Sequence, residues 1–318
     1  MPSGIPSLVK AAPMTLTRIP PVTLHVGAHR TANGSLHRLL DRDAALLEAA
    51  HLGVWTPRQT RTGLMSGLLG DPGMVDARRD QRVHRAAGRV AMRRGALTGD
   101  GVQRLVISDE ALLGSLRENV LLGRLYPTIS ARMARLSRAV PGVDRVCLAI
   151  RSPDAWWGSV FAASMATGFA PPDQATLEAV LRARRGWRQV IEDLALALPK
   201  VRLTVWTHEE FGSRPDTIFQ ALTGRAPSRP GRPALNASPG LGALRDRLRD
   251  EGCTTRLTGV GDRYAPFTPD ETAALQGAYA DDLAWLRAGA DGRATYLTQG
   301  SDDGPAHDRK GRIHGARH

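Results

Sequence analysis

Lysine is almost absent from this chain: Lys10, Lys200 and Lys310 are three of 43 basic residues in 318. The positive charge is therefore carried by arginine, whose planar fork suits pairs of phosphate or sulfate oxygens. Cysteine is equally scarce. Cys147 lies in an apolar run and Cys253 in a loop-like stretch, which excludes a disulfide framework and leads to the expectation of a reducing cytoplasm. No apolar run approaches the ~20 residues of a membrane span. The proline-rich start has Lys10 as its one basic residue before Arg18 and no continuous apolar segment, so no secretory signal is expected. Phe and Tyr number five and four, few for a base-stacking surface, and the basic residues are scattered along the chain. A nucleic-acid partner is for these reasons the lesser expectation. What is present is the composition of a soluble globular protein, 42% apolar and 23% charged, with a net charge of +12 that favours anionic partners.

The pattern alternates strand and helix. Apolar runs at Val22–Val26, Leu52–Thr56, Arg104–Ser108, Arg145–Ile150 and Val201–Trp206 read as strands. Helical periodicity fills the gaps: from Gly34 to about Ala50, 74 to 95, 111 to 125, 127 to 140, and Asp154 to about Gly168. It continues over 173 to 198, 208 to 224, 241 to 249 and 271 to 286. Helix 74–95 carries seven arginines and reads as a solvated face. In the last helix Leu275, Tyr279, Leu283 and Leu286 line one side, with Asp281 and Asp282 opposite. Residues 59–70 have no clear period. The expected class is α/β, a parallel sheet flanked by helices in three layers. The domain is expected over 22–290, after a flexible N-terminal arm (1–20) and before a disordered tail (291–318).

The chain is organised around Val22–Leu40, VTLHVGAHRTANGSLHRLL. A buried strand, a polar loop and a helix start follow one another. Such a junction binds anions, because the first-turn amides lack partners and the helix dipole adds about half a positive charge. It is not a Walker A loop, since Ala32, Asn33 and Gly34 stand where Gly-Lys-Ser/Thr would be required. Four candidate residues, Arg30, Asp109, Glu110 and Arg151, fall just past strand ends, where ligands gather on parallel sheets.

The loop resembles the 5′-phosphosulfate loop of bacterial sulfotransferase-like proteins, roughly G-x-H-K-T-G-T-T-S. Gly27, His29, Thr31 and Ser35 agree with it, Arg30 stands in place of lysine, and Ala32, Asn33 and Gly34 depart from Gly-Thr-Thr. A second segment, Arg151 ending a strand and Ser159 eight residues on, is similar to the 3′-phosphate motif of the same superfamily, including an intervening Ser152-Pro153-Asp154 turn. Weaker likenesses are VISDE, VWTHEEF, ALNAS at 234–238, and Tyr279 with Asp282. The Arg309-Lys310-Gly311 triplet copies a cytosolic-branch motif but lacks its neighbours.

The resemblance implies a P-loop nucleoside-triphosphate-hydrolase-like sulfotransferase fold and a cytoplasmic, bacterial-type enzyme. Its donor would be 3′-phosphoadenosine-5′-phosphosulfate (PAPS), with no metal, and its acceptor a small molecule or glycan bearing a hydroxyl or amine. On that reading Gly27, Arg30, Thr31, Ala32, Asn33, Gly34, Ser35, Arg151 and Ser159 hold the nucleotide. Arg30 stabilises the leaving phosphate. Glu110 is the candidate base, with Asp109 and His29 as alternatives. Two other readings stand beside it: a catalytically weak nucleotide-binding protein on the same fold, and an arginine-rich nucleic-acid-binding protein.

Overall fold

A computed structural model describes residues 19–73, 77–232 and 238–299. Arm residues 1–18, tail residues 300–318 with Arg309-Lys310-Gly311, and most of ALNAS lie outside the described residues.

The first strand, β1 (Val22–His25), is followed by α1 (Asn33–Arg42) and α2 (Ala44–Ala49), which break at Asp43. The Asp43 carboxylate accepts from Arg42 and from Ser228 N and Oγ, each at 2.6–2.7 Å, and so fixes the corner. β2 (Leu52–Trp55) leads into α3 (Pro57–Gln59), capped by Thr56 and Gln59, and a wide turn over Thr60–Leu64. α4 (Ala77–Gly99) and β3 (Arg104–Ser108) follow, then α5 (Leu116–Leu122) and α6 (Ile129–Ala139). β4 (Val143–Ile150) and α7 (Pro153–Met165) come next.

The expected long helix over 173–198 is two, α8 (Gln174–Arg182) and α9 (Trp187–Ala197). Between them Arg184 takes a positive φ of 44° and Arg185 turns inward, donating to the Leu125 and Tyr126 carbonyls and to Asp193. A continuous helix could not satisfy those groups. β5 (Arg202–Thr207) is followed by α10 (His208–Phe211), α11 (Pro215–Thr223) and α12 (Leu241–Asp250). Between α12 and the last helix, β6 (Gly259–Val260) and β7 (Arg263–Tyr264) form a hairpin. Last are α13 (Pro269–Arg287) and β8 (Thr295–Tyr296).

The central sheet has the order β2-β3-β1-β4-β5-β8, and every pair in it is parallel. β8 falls where a disordered tail was expected. Two residues carry too weak a period to be read as a strand, and the open edge of β5 supplies their pairing.

Alternate residues of the strands feed two cores. Val22, Leu24 and Val26 of the β1 segment pack with α4, α6, α7, α9 and α13, whereas Cys147, Ala149 and Trp206 pack with α1, α2 and α11. The result is three layers, as the alternating pattern implies. Leu24 is fully buried, so Leu24→Ala carries a cost of about 2–5 kcal/mol. A smaller cluster joins α12 to the back of α7.

Asp282 departs from its expected outward place: it is buried and accepts from Trp187 N at 2.8 Å, satisfying the first amide of α9. No described helix is long and apolar enough to cross a membrane.

Candidate functional site

From β1 the chain turns to β2 and β3 on one side of the sheet, and from β4 to β5 and β8 on the other. The loops after β1 and β4 therefore diverge, leaving a crevice at the carboxyl ends of the two central strands. Gly27–Asn33 forms one lip and Arg151–Ser152 the other.

The first lip is built tightly. A Cβ on Gly27 would come within 2.5 Å of Asn33 Oδ1 and 2.7 Å of His25 Nε2, so only glycine fits there. Thr31 Oγ1 donates to the Ala28 carbonyl at 2.6 Å, and Asn33 Nδ2 donates to the Gly27 and Ala28 carbonyls at 3.2 and 2.9 Å. These bonds fold the loop back on itself. They also commit the side chains of Thr31 and Asn33 inward.

Arg30 and Ala32 both have left-handed backbones, with φ of 65° and 70°. Ala32 is the N-cap of α1 and makes no side-chain capping bond. Such alternation forms a concavity of backbone N–H groups at the helix start. From below, Tyr126 OH accepts from His29 N at 2.8 Å, and Trp156 Nε1 donates to the His29 carbonyl at 2.7 Å. Gly34 follows at the helix start, with Ser35 buried in the first turn.

The second lip meets the first through arginine. Arg151 Nη1 donates to the Arg30 carbonyl at 3.0 Å, while the Arg151 carbonyl accepts from Trp187 Nε1 at 2.6 Å. Arg30 reaches across the crevice: its Nε donates to Ser159 Oγ at 3.0 Å and its Nη2 to Ser238 Oγ at 2.7 Å. The two serine hydroxyls are 2.6 Å apart. Burial lowers the pKa of both arginines. For Arg151, Glu209 opposes that, and the neighbouring cations Arg263 and Arg30 add to it. Half-buried cations crowded this way gain from an anion between them.

Sequence reasoning placed Arg30, Arg151 and Ser159 together and missed Arg263 and the role of Ser238. ALNAS contained Ser238. Arg263 had no signal, because the hairpin that carries it rests on α7, where Gly158 leaves room for the Tyr264 carbonyl.

The carboxylates form a separate corner after β3. Asp109 is fully buried and its oxygens are committed: it accepts from Thr60 Oγ1, from Arg61 Nε and Nη2, and from Ala111 N. Glu110 Oε1 accepts from Arg61 Nη2 at 2.8 Å. Its Oε2 is buried without a hydrogen bond, 3.9 Å from His37 Nε2, which is equally unpartnered. Burial pushes the Glu110 carboxyl up, but His29, His37 and Arg61 outweigh it and hold it down at about 2. Arg61 is the permanent cation of the three. Burial, with smaller charge effects, takes His29 down to about 4 and His25 to about 3, so both rings are neutral at pH 7. Neither Arg61 nor His37 was anticipated from sequence: Arg61 sits in the aperiodic 59–70 stretch, and His37 sits in α1 two residues past Ser35, where the loop motif ends.

His29 feels Glu110, Arg61, Asp109 and Arg30, so the carboxylate corner and the arginine lip share one electrostatic environment. Together they offer an anion site flanked by an ionised carboxylate. Comparison of the chain with known protein families, curated proteins and solved structures finds no significant match.

Proposed function

We propose that this protein is a sulfotransferase-like enzyme that moves a sulfuryl group from PAPS to a hydroxyl or amine acceptor. The observation that carries the reading is the hydrogen bond from Arg30 to Ser159 at the switch point. It joins the two segments that resemble the 5′- and 3′-phosphate motifs, and the two were inferred separately. The three-layer parallel sheet, with both motifs at the ends of its central strands, supports a P-loop-like sulfotransferase fold.

In the proposed reaction the acceptor oxygen or nitrogen bonds to sulfur as the bond from sulfur to the bridging phosphate oxygen breaks. The electron pair leaves on that oxygen, and the acceptor's proton passes to Glu110. Arg30 and the loop amides stabilise the charge on the leaving group. Asp109 has no oxygen to spare, and His29 has its Nδ1 3.0 Å from Tyr126 OH, whereas Glu110 Oε2 carries no hydrogen bond, so Glu110 is the base favoured here. A thermal-shift titration with adenosine 3′,5′-bisphosphate tests the nucleotide site, since a ligand bound only by the folded state raises its melting temperature. An acceptor screen with labelled PAPS tests transfer. No shift at millimolar nucleotide overturns the reading.

One observation favours the catalytically weak variant of this reading. Thr31 and Asn33 spend their polar side chains on the loop's own carbonyls, leaving backbone amides as the loop's donors. Glu110 is kept ionised at pH 7 by the permanent charge of Arg61, and that pairing limits its drive to accept a proton. Binding with slow transfer is the expected behaviour.

A further inference from the structure

Helix α4 has one face in the core, through Val83, Ala86, Ala87, Val90 and Leu97. Arg94 belongs to that face: it is 4% exposed and donates to the Pro141 and Pro20 carbonyls. The other face carries Arg78, Arg82, Arg85, Arg89 and Arg93, all exposed. At the helical repeat these five fall within about 80° of one another and form a line about 22 Å long. A distribution that looks scattered in the sequence is gathered along one edge of the fold.

Other helices pair exposed arginines with acids one turn away, as in Arg182 with Glu178, Arg188 with Glu192 and Arg247 with Glu251. The α4 line has no such partner: among the described residues no ion pair joins any of the five to a carboxylate. Arg89 alone has a fixed contact, from its Nη2 to the Ser66 carbonyl at 3.0 Å and to Ser66 Oγ. Asp80 projects about 200° from Arg78, off the line.

We infer that this line docks the backbone of a nucleic acid, without sequence preference. Arginine forks match phosphate oxygens, and a row of single charges matches a linear polyanion. No Phe, Tyr or Trp occurs along α4, and its one imidazole, His84, lies off the arginine line at the helical repeat, so the backbone is what the line grips. A membrane surface fits less well. Helices that lie on bilayers present a broad apolar face, and the apolar face of α4 is spent in the core, leaving Met92 as its one exposed large apolar residue.

The test uses the full chain and fluorescence anisotropy, with a fluorescein-labelled 20-base-pair DNA duplex and a 20-nucleotide RNA, from 50 to 200 mM NaCl. Five phosphate contacts on duplex give a slope of log affinity against log salt of about −4.5. In R78Q/R82Q/R85Q/R93Q, which spares Arg89, that slope falls by about 3 to 4 and affinity at 50 mM salt drops by roughly 10²-fold or more. The matching Arg→Lys variant keeps the slope, and all variants keep their response to adenosine 3′,5′-bisphosphate. If the quadruple variant loses helicity by circular dichroism, R82Q/R85Q replaces it, with a slope reduced by about 2. Absence of wild-type binding to both polymers at 50 mM salt overturns the inference. So does an unchanged slope in the glutamine variants, or binding confined to phosphatidylserine vesicles.

Discussion

Arg30 and Ser159, 129 positions apart, meet through a hydrogen bond of 3.0 Å across the head of the sheet. Ser159 is held within α7, whereas Arg30 lies in the loop after β1, so the pair depends on what supports that loop from beneath. Trp156 and Trp187 are fully buried and hold the carbonyls of His29 and Arg151. The polar lips of the crevice therefore rest on an aromatic floor, in which the two indoles sit edge to face 6.0 Å apart.

Arg151→Ala is expected to weaken adenosine 3′,5′-bisphosphate binding by about 1.5–3 kcal/mol, the scale of a charge-assisted hydrogen bond. It also frees the Arg30 carbonyl, so the loop should show faster amide exchange. Calorimetry that finds unchanged affinity removes Arg151 from the site.

Ala32→Gly is expected to stabilise the fold. A left-handed non-glycine residue costs about 1–2 kcal/mol, and glycine's extra unfolded-state entropy returns about 0.4–1 kcal/mol of that. The net gain is about 0.5–1 kcal/mol, read as a higher urea midpoint at constant slope. Asn33→Thr should act in the opposite direction, because it removes both bonds to the loop carbonyls. A lower midpoint for Ala32→Gly contradicts the positive φ of 70°.

Glu110→Gln separates binding from transfer. If Glu110 accepts the proton, kcat falls by roughly 10²-fold or more while nucleotide affinity holds. Arg61→Gln releases Glu110 from its fixed cation and leaves buried Asp109 without its main partner. Its expected cost is about 1.5–3 kcal/mol of stability, measured by denaturation. Wild-type turnover in Glu110→Gln moves the base elsewhere.

Acid should weaken the fold in two stages. Burial lowers the folded-state pKa of His25 and His29 to about 3 and about 4, whereas in the unfolded chain both titrate near ~6.5. The unfolded state thus binds more protons below that value. The stabilisation is complete above about pH 6.5 and is lost as pH falls toward 4. The carboxylates of Glu110 and Asp43, each held at about 2, add a second loss between about pH 4.5 and 2. A urea midpoint that stays flat from pH 7 to 5 rules out the first stage.

Much of the architecture was determined by local pattern alone. Uninterrupted runs such as VCLAI specify strands buried on both faces, because a parallel sheet covered by helices requires them, whereas the alternation in VTLHV marks a strand but carries no sign that Thr23 and His25 are buried as well. The strand–loop–helix junction after β1 was legible from its residues, and a helix start leaves amides unpaired whatever surrounds it. Tertiary structure decided the rest. Asp282 faces inward because an amide of α9 needed an acceptor there, and Arg94 faces inward because two loop carbonyls needed a donor. Arg61, Ser238 and Arg263 join the site through loops and a hairpin whose placement depends on long-range contacts that no local period encodes, and His37 joins it through the packing of α1. The two adjacent carboxylates after β3 parted for the same reason. Asp109 was absorbed by four donors from a distant turn and the neighbouring Ala111 amide, and Glu110 kept one oxygen, Oε2, without a hydrogen bond.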